Sequence, residues 1–341
     1  MQSRRKFALF PLLLVLMLSF GQALLAQSKN ANCPKQPYPN VVACFPSPLF
    51  AESITAGGDG KLYASVSDFS TTCYIERFKD DGKNPEIWVA FPPEICENGF
   101  LLGVAFDEKG RLYVAFTTWT PSGDAGVYRV EPNRSLTRVL TLPPWSFPNG
   151  VAFYGEDLYV SDSVNGAIWK KSPHDKEIVQ SVPWYQNPAL LAPNGFGANG
   201  VAFYHNALFV AVADAGSIVR FPIQPDGGPG PWEYVVPPDS RLQTLDGIAF
   251  DVTGKLWFTV NDTSPGAGGK LGTVDKHGNV TILADNPGWL DYPTMVVFGA
   301  KPYNRSTLYL TNAGLNGGTY GMSNVLSFDV DVPGLPIPAD H

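Results

Sequence analysis

The chain has few of the residues that most enzymes use for acid–base and nucleophilic chemistry near neutral pH. Histidine and cysteine each occur four times in 341 residues, and only 16% of residues are charged. His174, His205, His277 and His341 fall on expected outer strands and turns, where surface or structural roles are the ordinary ones. There is no G-x-S-x-G elbow, no H-E-x-x-H pair and no glycine loop built to cradle phosphate. Nor is there a basic patch interleaved with aromatics. The formal net charge is −7, and an acidic chain repels phosphate backbones and anionic lipid, so nucleic acid and membrane surfaces are excluded as partners. No amphipathic helix of useful length is visible, and beyond residue 26 no apolar run is long enough to span a bilayer.

The N-terminus has its own pattern. Arg4-Arg5-Lys6 precedes an apolar run from Phe7 to Phe20 and small residues at Ala23 and Ala26. That is the layout of a secretory signal over residues 1–26, and it predicts a secreted or periplasmic protein. In an exported chain the even set Cys33, Cys44, Cys73 and Cys96 reads as two disulfides, and spacing favours Cys33–Cys44 and Cys73–Cys96 among the three connectivities. Asn133, Asn261, Asn279 and Asn304 each begin an N-x-Ser/Thr sequon.

What the chain has in quantity is repetition. PNGVAFYGEDLYVSD begins at Pro148 and ANGVAFYHNALFVAV at Ala198. Related blocks are ESITAGGDGKLYASV from Glu52, LGVAFDEKGRLYVAF ending at Phe116, DGIAFDVTGKLWFTV from Asp246, and TMVVFGA…STLYLTN from Thr294. Each is an apolar strand, a turn rich in Gly, Asp or Asn, and a second apolar-aromatic strand. Third strands follow at Tyr74–Phe78, Val127–Val130, Ala167–Lys170, Ser217–Phe221, Lys270–Val274 and Asn324–Phe328. Fourth strands are visible at Glu86–Ala90 and Val280–Ala284. Equivalent first positions are separated by 50, 47, 50, 47 and 48 residues. Four short strands per unit at this period predict an all-β fold, a six-bladed β-propeller in one domain over residues 33–332, with a tail at 333–341. Val41–Phe45 is a spare strand able to complete the last blade and remove two open edges.

In a propeller the first strand of each blade begins beside the axis. The six equivalent residues, Glu52, Leu102, Asn149, Asn199, Asp246 and Thr294, therefore form a ring at one mouth of the channel. Two carboxylates in one narrow, dry space repel unless protonated or neutralised. Two carboxylates, two amide oxygens and the possible hydroxyl of Thr294 make an oxygen-only cage for a hard divalent cation. Calcium fits best, ahead of Mg2+, Mn2+ or Zn2+, because it accepts irregular geometry and neutral oxygens. The Asn-Gly pairs also have a plain reading, as turn formers. A Glu in blade one followed by NG, NG and DG openings in blades three, four and five resembles the senescence-marker-protein/gluconolactonase family, related to paraoxonase-type propeller hydrolases. The resemblance implies that Glu52, Asn149, Asn199 and Asp246 bind a catalytic divalent ion. It also implies that Asp246 serves as base or nucleophile in lactone or ester hydrolysis.

The chemistry agrees with that implication. A cation polarises the carbonyl, and Asp246 activates water or attacks, with Gly247 leaving space beside it and Asn149 acting on ion or substrate. Relatives of this type often carry an Arg two residues before the blade-three Asn; here Phe147 stands there. Phe100, Trp145, Trp184, Tyr185, Phe196, Trp289 and Tyr292 lie in segments leading into the ring. With Phe147 and Thr294 they predict an apolar pocket for a small hydrophobic lactone or ester, in a monomer or weak oligomer. Alternatives are a non-catalytic binding scaffold with a structural axial ion, or a strictosidine-synthase-like enzyme on the same fold.

Overall fold

The computed structural model describes residues 33, 39–120, 125–191, 195–262, 268–316 and 322–336. The expected signal segment lies outside them. Among the described residues no helix is long and apolar enough to cross a membrane. Among the described residues twenty-four strands form six four-stranded antiparallel sheets, a six-bladed propeller. The first strands of the blades are Phe50–Ala56, Gly99–Phe106, Pro148–Tyr154, Ala198–Tyr204, Leu245–Phe250 and Pro293–Phe298. The ring closes as expected, because Asn40–Phe45 pairs antiparallel with Ser323–Asp329 and supplies the outer strand of blade six. Pro333–Leu335 do not form a loose tail. Gly334 bonds to Arg305 O, and Leu335 N bonds to Phe250 O.

A propeller has no single core. The buried apolar residues gather into clusters that each straddle two neighbouring blades. Tyr63 and Ile75 of blade one, for example, pack on Leu101, Val104, Leu112 and Phe116 of blade two. Equivalent clusters join blades six and one, two and three, three and four, four and five, and five and six. This is why the second strands read as nearly continuous apolar runs: both faces of each blade are covered. Burying a side chain such as Phe116 or Phe258 contributes about 1.5–3 kcal/mol, and each is fully buried. Cys73–Cys96 ties blade one to the short helix Pro93–Cys96 at the entrance to blade two, and Cys33–Cys44 anchors the N-terminal segment to the closing strand. Both pairings are the ones favoured by spacing.

The Asn-Gly and Asp-Gly pairs are not turns. In every blade the ring residue sits where the register between first and second strands shifts, as at Pro148/Val151, Ala198/Val201 and Leu245/Ile248. A bulge of this kind re-aims a side chain; here it turns the ring residue inward. The glycine that follows solves a separate problem. A Cβ on Gly103 would lie 2.3 Å from Asn149 O, on Gly150 2.6 Å from Asn199 O, on Gly200 2.3 Å from Asp246 O, and on Gly247 2.6 Å from Thr294 O. Each glycine therefore lets the next blade's ring residue press its carbonyl against the preceding strand. The space expected beside Gly247 is filled by blade six. Hydroxyls in the second strands add to the clasp: Ser161 Oγ donates to Asn199 O at 2.5 Å, Thr259 Oγ1 to Thr294 O at 3.2 Å, and Thr311 Oγ1 to Glu52 O at 3.1 Å.

Substitution Gly200→Ala sets a methyl against a backbone carbonyl that cannot rotate away. It is expected to destabilise the fold by about 3 kcal/mol or more, read as a shift in the denaturant midpoint. Gly110→Ala, where no atom lies within 4 Å of the added Cβ and only the left-handed backbone objects, is expected to cost about 1 kcal/mol. Equal costs at the two sites would refute the close-approach role.

Candidate functional site

The six ring residues arrive at the axis from bulges, and all but Glu52 are fully buried; Glu52 is partly covered. In a six-membered ring blade five faces blade two, so Asp246 looks across the channel at Leu102. Burial pushes the Glu52 carboxyl up to about 8. Asp246 is raised well above the usual carboxylate range, by burial first and then by the charge of Glu52, against opposing hydrogen bonds from Asn199 and Asn261. The two carboxylates paired in the sequence, 194 residues apart, are thus within electrostatic reach of each other.

Their neighbours orient them. Asn261 Nδ2 donates to Asp246 Oδ2 at 2.6 Å, which leaves Oδ1 facing other partners. Asn149 Nδ2 donates to Ser163 Oγ at 3.1 Å, and Ser163 Oγ donates on to Ala198 O at 2.7 Å, so the amide oxygen of Asn149 is turned away from that bond. Thr294 departs from expectation: its hydroxyl bonds to Glu52 O and to Thr311 Oγ1, so it closes the ring instead of lining a pocket. Asn261 and Ser163 were missed as functional residues. Both occupy the sixth position of the second-strand phrases, LWFTVN and LYVSDS, and a polar residue there was the available signal. The Asn261 sequon is committed to Asp246, and Asn304 is likewise buried, whereas Asn133 and Asn279 are exposed.

A divalent cation fits this donor set. Asp246 is buried with the amides of Asn199 and Asn261 bonded to it, Glu52 is partly covered, and among the described residues neither carboxylate is ion-paired to a lysine or arginine. Among those residues there is also no cluster of three or more His, Cys, Asp or Glu, so a cation here would need amide as well as carboxylate oxygens. Such a set suits calcium better than a softer metal.

The aromatic expectations divide. Phe147 packs between Phe100 and Phe196, with ring centroids 6.0 and 5.0 Å away, at the entrance to the ring. The Tyr292 phenol is made less acidic by burial and then by the charges of Asp246, Glu52 and Asp214. Trp145 is half exposed at the rim. Trp184 and Tyr185 belong to inter-blade packing, against Phe221 and, for Trp184, Tyr159. Trp289 packs on Phe328. Asp162 does loop work: it accepts from Phe147 N and Trp169 Nε1. His174, His205 and His277 are exposed, and His341 lies outside the described residues.

No family model matches the chain, and no curated protein does. Solved structures do match. A protein assigned as a gluconolactonase is 16% identical with a TM-score of 0.61 over 89% of this chain and 95% of its own. The calcium-binding protein regucalcin from Agrobacterium tumefaciens is 14% identical at TM-score 0.59 over 89% and 97%. Virginiamycin B lyase from Staphylococcus aureus is 15% identical at TM-score 0.52 over 83% and 85%. These likenesses show the propeller fold, and they agree with the resemblance read from the ring motifs.

Raised carboxylate pKa values give a stability signature with a definite sign. Without a cation the folded state keeps protons on Glu52 and Asp246 that the unfolded chain has lost, so stability is full below about pH 4.5 and declines as pH rises toward about 8. Chelated protein should therefore show a melting temperature that falls between pH 5 and 8. Added calcium should raise it by an increment that grows with pH, and a pH-independent increment would count against a buried carboxylate site.

Proposed function

We propose that this chain is an exported hydrolase of lactones or related esters that depends on a divalent cation, calcium first among them. The observation that supports the reading most is the buried Asp246 carboxyl, coupled to the partly covered Glu52 and hydrogen-bonded by amides. A fold retains such a pair at a cost of several kcal/mol only where a ligand or a reaction uses it. Glu52, Asp246, Asn149 and Asn199 would hold the cation, which when bound supplies polarisation of a substrate carbonyl.

The chain's own groups supply the rest. Asp246 Oδ1, the oxygen that Asn261 does not engage, takes the proton from an attacking water, or the carboxylate attacks the carbonyl itself. Asn261 keeps that carboxylate from swinging. Glu52 adds the second charge without a comparable support, which fits a pure ligand. The Asn149 amide contacts cation or substrate, and Phe100, Phe147 and Phe196 at the mouth limit water around the reacting carbonyl. Both disulfides accord with export into an oxidising compartment. Propellers host several chemistries, and the lyase among the similar structures represents the non-hydrolytic alternative.

Purified protein is expected to carry about one divalent ion per chain by elemental analysis. It should hydrolyse members of a panel of γ- and δ-lactones and aryl esters, and lose that activity to a chelator. Asp246→Asn should lower kcat/KM by roughly 10²–10⁴ while the circular dichroism spectrum is retained. Turnover that survives both chelator and Asp246→Asn refutes the mechanism. No turnover at all, together with a chelator-induced fall in melting temperature, would assign the ion to a scaffold.

A further inference from the structure

The mouth of the channel is not symmetric. Two residues before the ring, blades one to three carry Phe50, Phe100 and Phe147, while blades four to six carry Gly197, Thr244 and Tyr292. On the first side the rings continue into the loops that follow the second strands. Phe69 stacks on Phe50 at 4.1 Å and meets Phe100 edge-on at 5.1 Å. Trp119 stacks on Phe100 at 5.6 Å and lies 6.3 Å from Phe69. Phe69, Phe100 and Trp119 are only half-buried. The first strands of blades one and two begin opposite the ends of their second strands, with Phe50 paired to Ser67 and Gly99 to Thr118. All these rings therefore stand at the ring-residue end of the channel. The wall spans blades one and two, whose ring residues are Glu52 and Leu102, and its blade-two half, Phe100 and Trp119, stands across the channel from blade five and Asp246.

The backbone holds part of this wall in an unfavourable conformation. Phe69 has φ of 55°, and Trp145, Thr244 and Tyr292, all in segments leading into the ring, have φ of 70°, 66° and 58°. A bulky side chain in the left-handed region is uncommon and persists where its surroundings enforce it, often at binding sites. Asp68 enforces it at Phe69: its Oδ1 accepts from Ser70 N at 2.8 Å and from Thr72 N at 2.9 Å, closing the turn that presents the ring. The aromatic residues buried between blades, such as Phe116 and Tyr128, lie in ordinary strands and show no such strain.

We propose that the wall formed by Phe69, Phe100 and Trp119 above Leu102 receives an alkyl or aryl substituent of the substrate, and that Phe69 and Trp119 set the preference for it. The identity of the group that bears this substituent rests on the hydrolase reading; the wall itself does not. A reacting carbonyl beside Asp246 then projects its substituent across the channel toward the half-buried rings of Phe100, Trp119 and Phe69. Apolar area removed from water there favours longer substituents, by roughly threefold to fourfold per methylene while the wall lasts.

Two arms test this. In the first, kcat/KM is measured for γ-butyrolactone and γ-decanolactone with wild type, Trp119→Ala and Phe69→Gly, the last chosen because glycine suits the left-handed backbone and should fold. Wild type should prefer the decanolactone, and each variant should lower the ratio of the two constants by at least tenfold. A ratio unchanged within twofold in both folded variants overturns the proposal. In the second arm, calorimetry compares 5-hexyl-2-pyrrolidinone with 2-pyrrolidinone, which are not hydrolysed, on Asp246→Asn protein with and without Trp119→Ala. Preferential binding of the hexyl compound that Trp119→Ala removes supports the wall even if no lactone is turned over, in which case the hydrolase reading alone falls. Equal binding of both lactams overturns the wall even if lactones are hydrolysed.

Discussion

Two carboxylates that sense each other across the inner ring, Asp246 buried and Glu52 partly covered, are the constraint around which this molecule is arranged. Glu52 comes from the first blade and Asp246 from the fifth, and only closure of the ring brings them to one axis. Like charges at short range in a poorly hydrated space oppose folding, so the geometry that imposes them must be stiff. It is stiff because the inner strands touch. Glycines at 103, 150, 200 and 247 admit the carbonyl of the next ring residue, and hydroxyls at 161, 259 and 311 bond to the same class of carbonyl. The contacts that build the channel are thus made by the backbones of the residues whose side chains form the proposed site, so stability and the proposed function draw on one set of residues.

Much of this was legible in the sequence, though not always for the right reason. The repeat period, the strand content and the closing role of Asn40–Phe45 follow from apolar alternation, which the fold cannot violate without exposing a blade face. The ring could be aligned because every blade places its bulge at the same position. Asn149-Gly150 and Asn199-Gly200 admitted two readings, ring donors or turn dipeptides, and the structure sets each asparagine at a bulge and uses the glycine as a gap for a neighbouring strand. A turn dipeptide and a close-approach dipeptide are written alike, and only the register between blades separates them.

What stayed hidden depends on which face of a neighbouring blade a side chain meets. Asn261 looked like a glycosylation sequon, and its bond to Asp246 requires knowing that the residue just after a second strand lies beside the ring residue of its own blade. Thr294 looked like a spare oxygen, but its hydroxyl closes the seam between blades six and one. Trp145 and Phe147 are two residues apart and equally aromatic. One is half exposed and the other packs among rings, a difference decided by the left-handed backbone at Trp145.

The six repeats also explain where chemistry can reside. A ring of identical residues would offer six equal contacts and no direction. Here identity is broken in a pattern: oxygen donors in blades one, three, four and five, leucine in blade two, and a hydroxyl in blade six that is spent on closure. The aromatic residues two positions upstream break symmetry along the same line, with phenylalanine on the blade-two side and small or hydroxyl-bearing residues opposite. The two asymmetries are independent in the chain, since one is set at the bulge and the other before it, yet they share an orientation. A scaffold that needed only a central ion to stiffen it would gain nothing from agreement between them. A site that must place a polar reacting group at one wall and an apolar substituent at the other requires it.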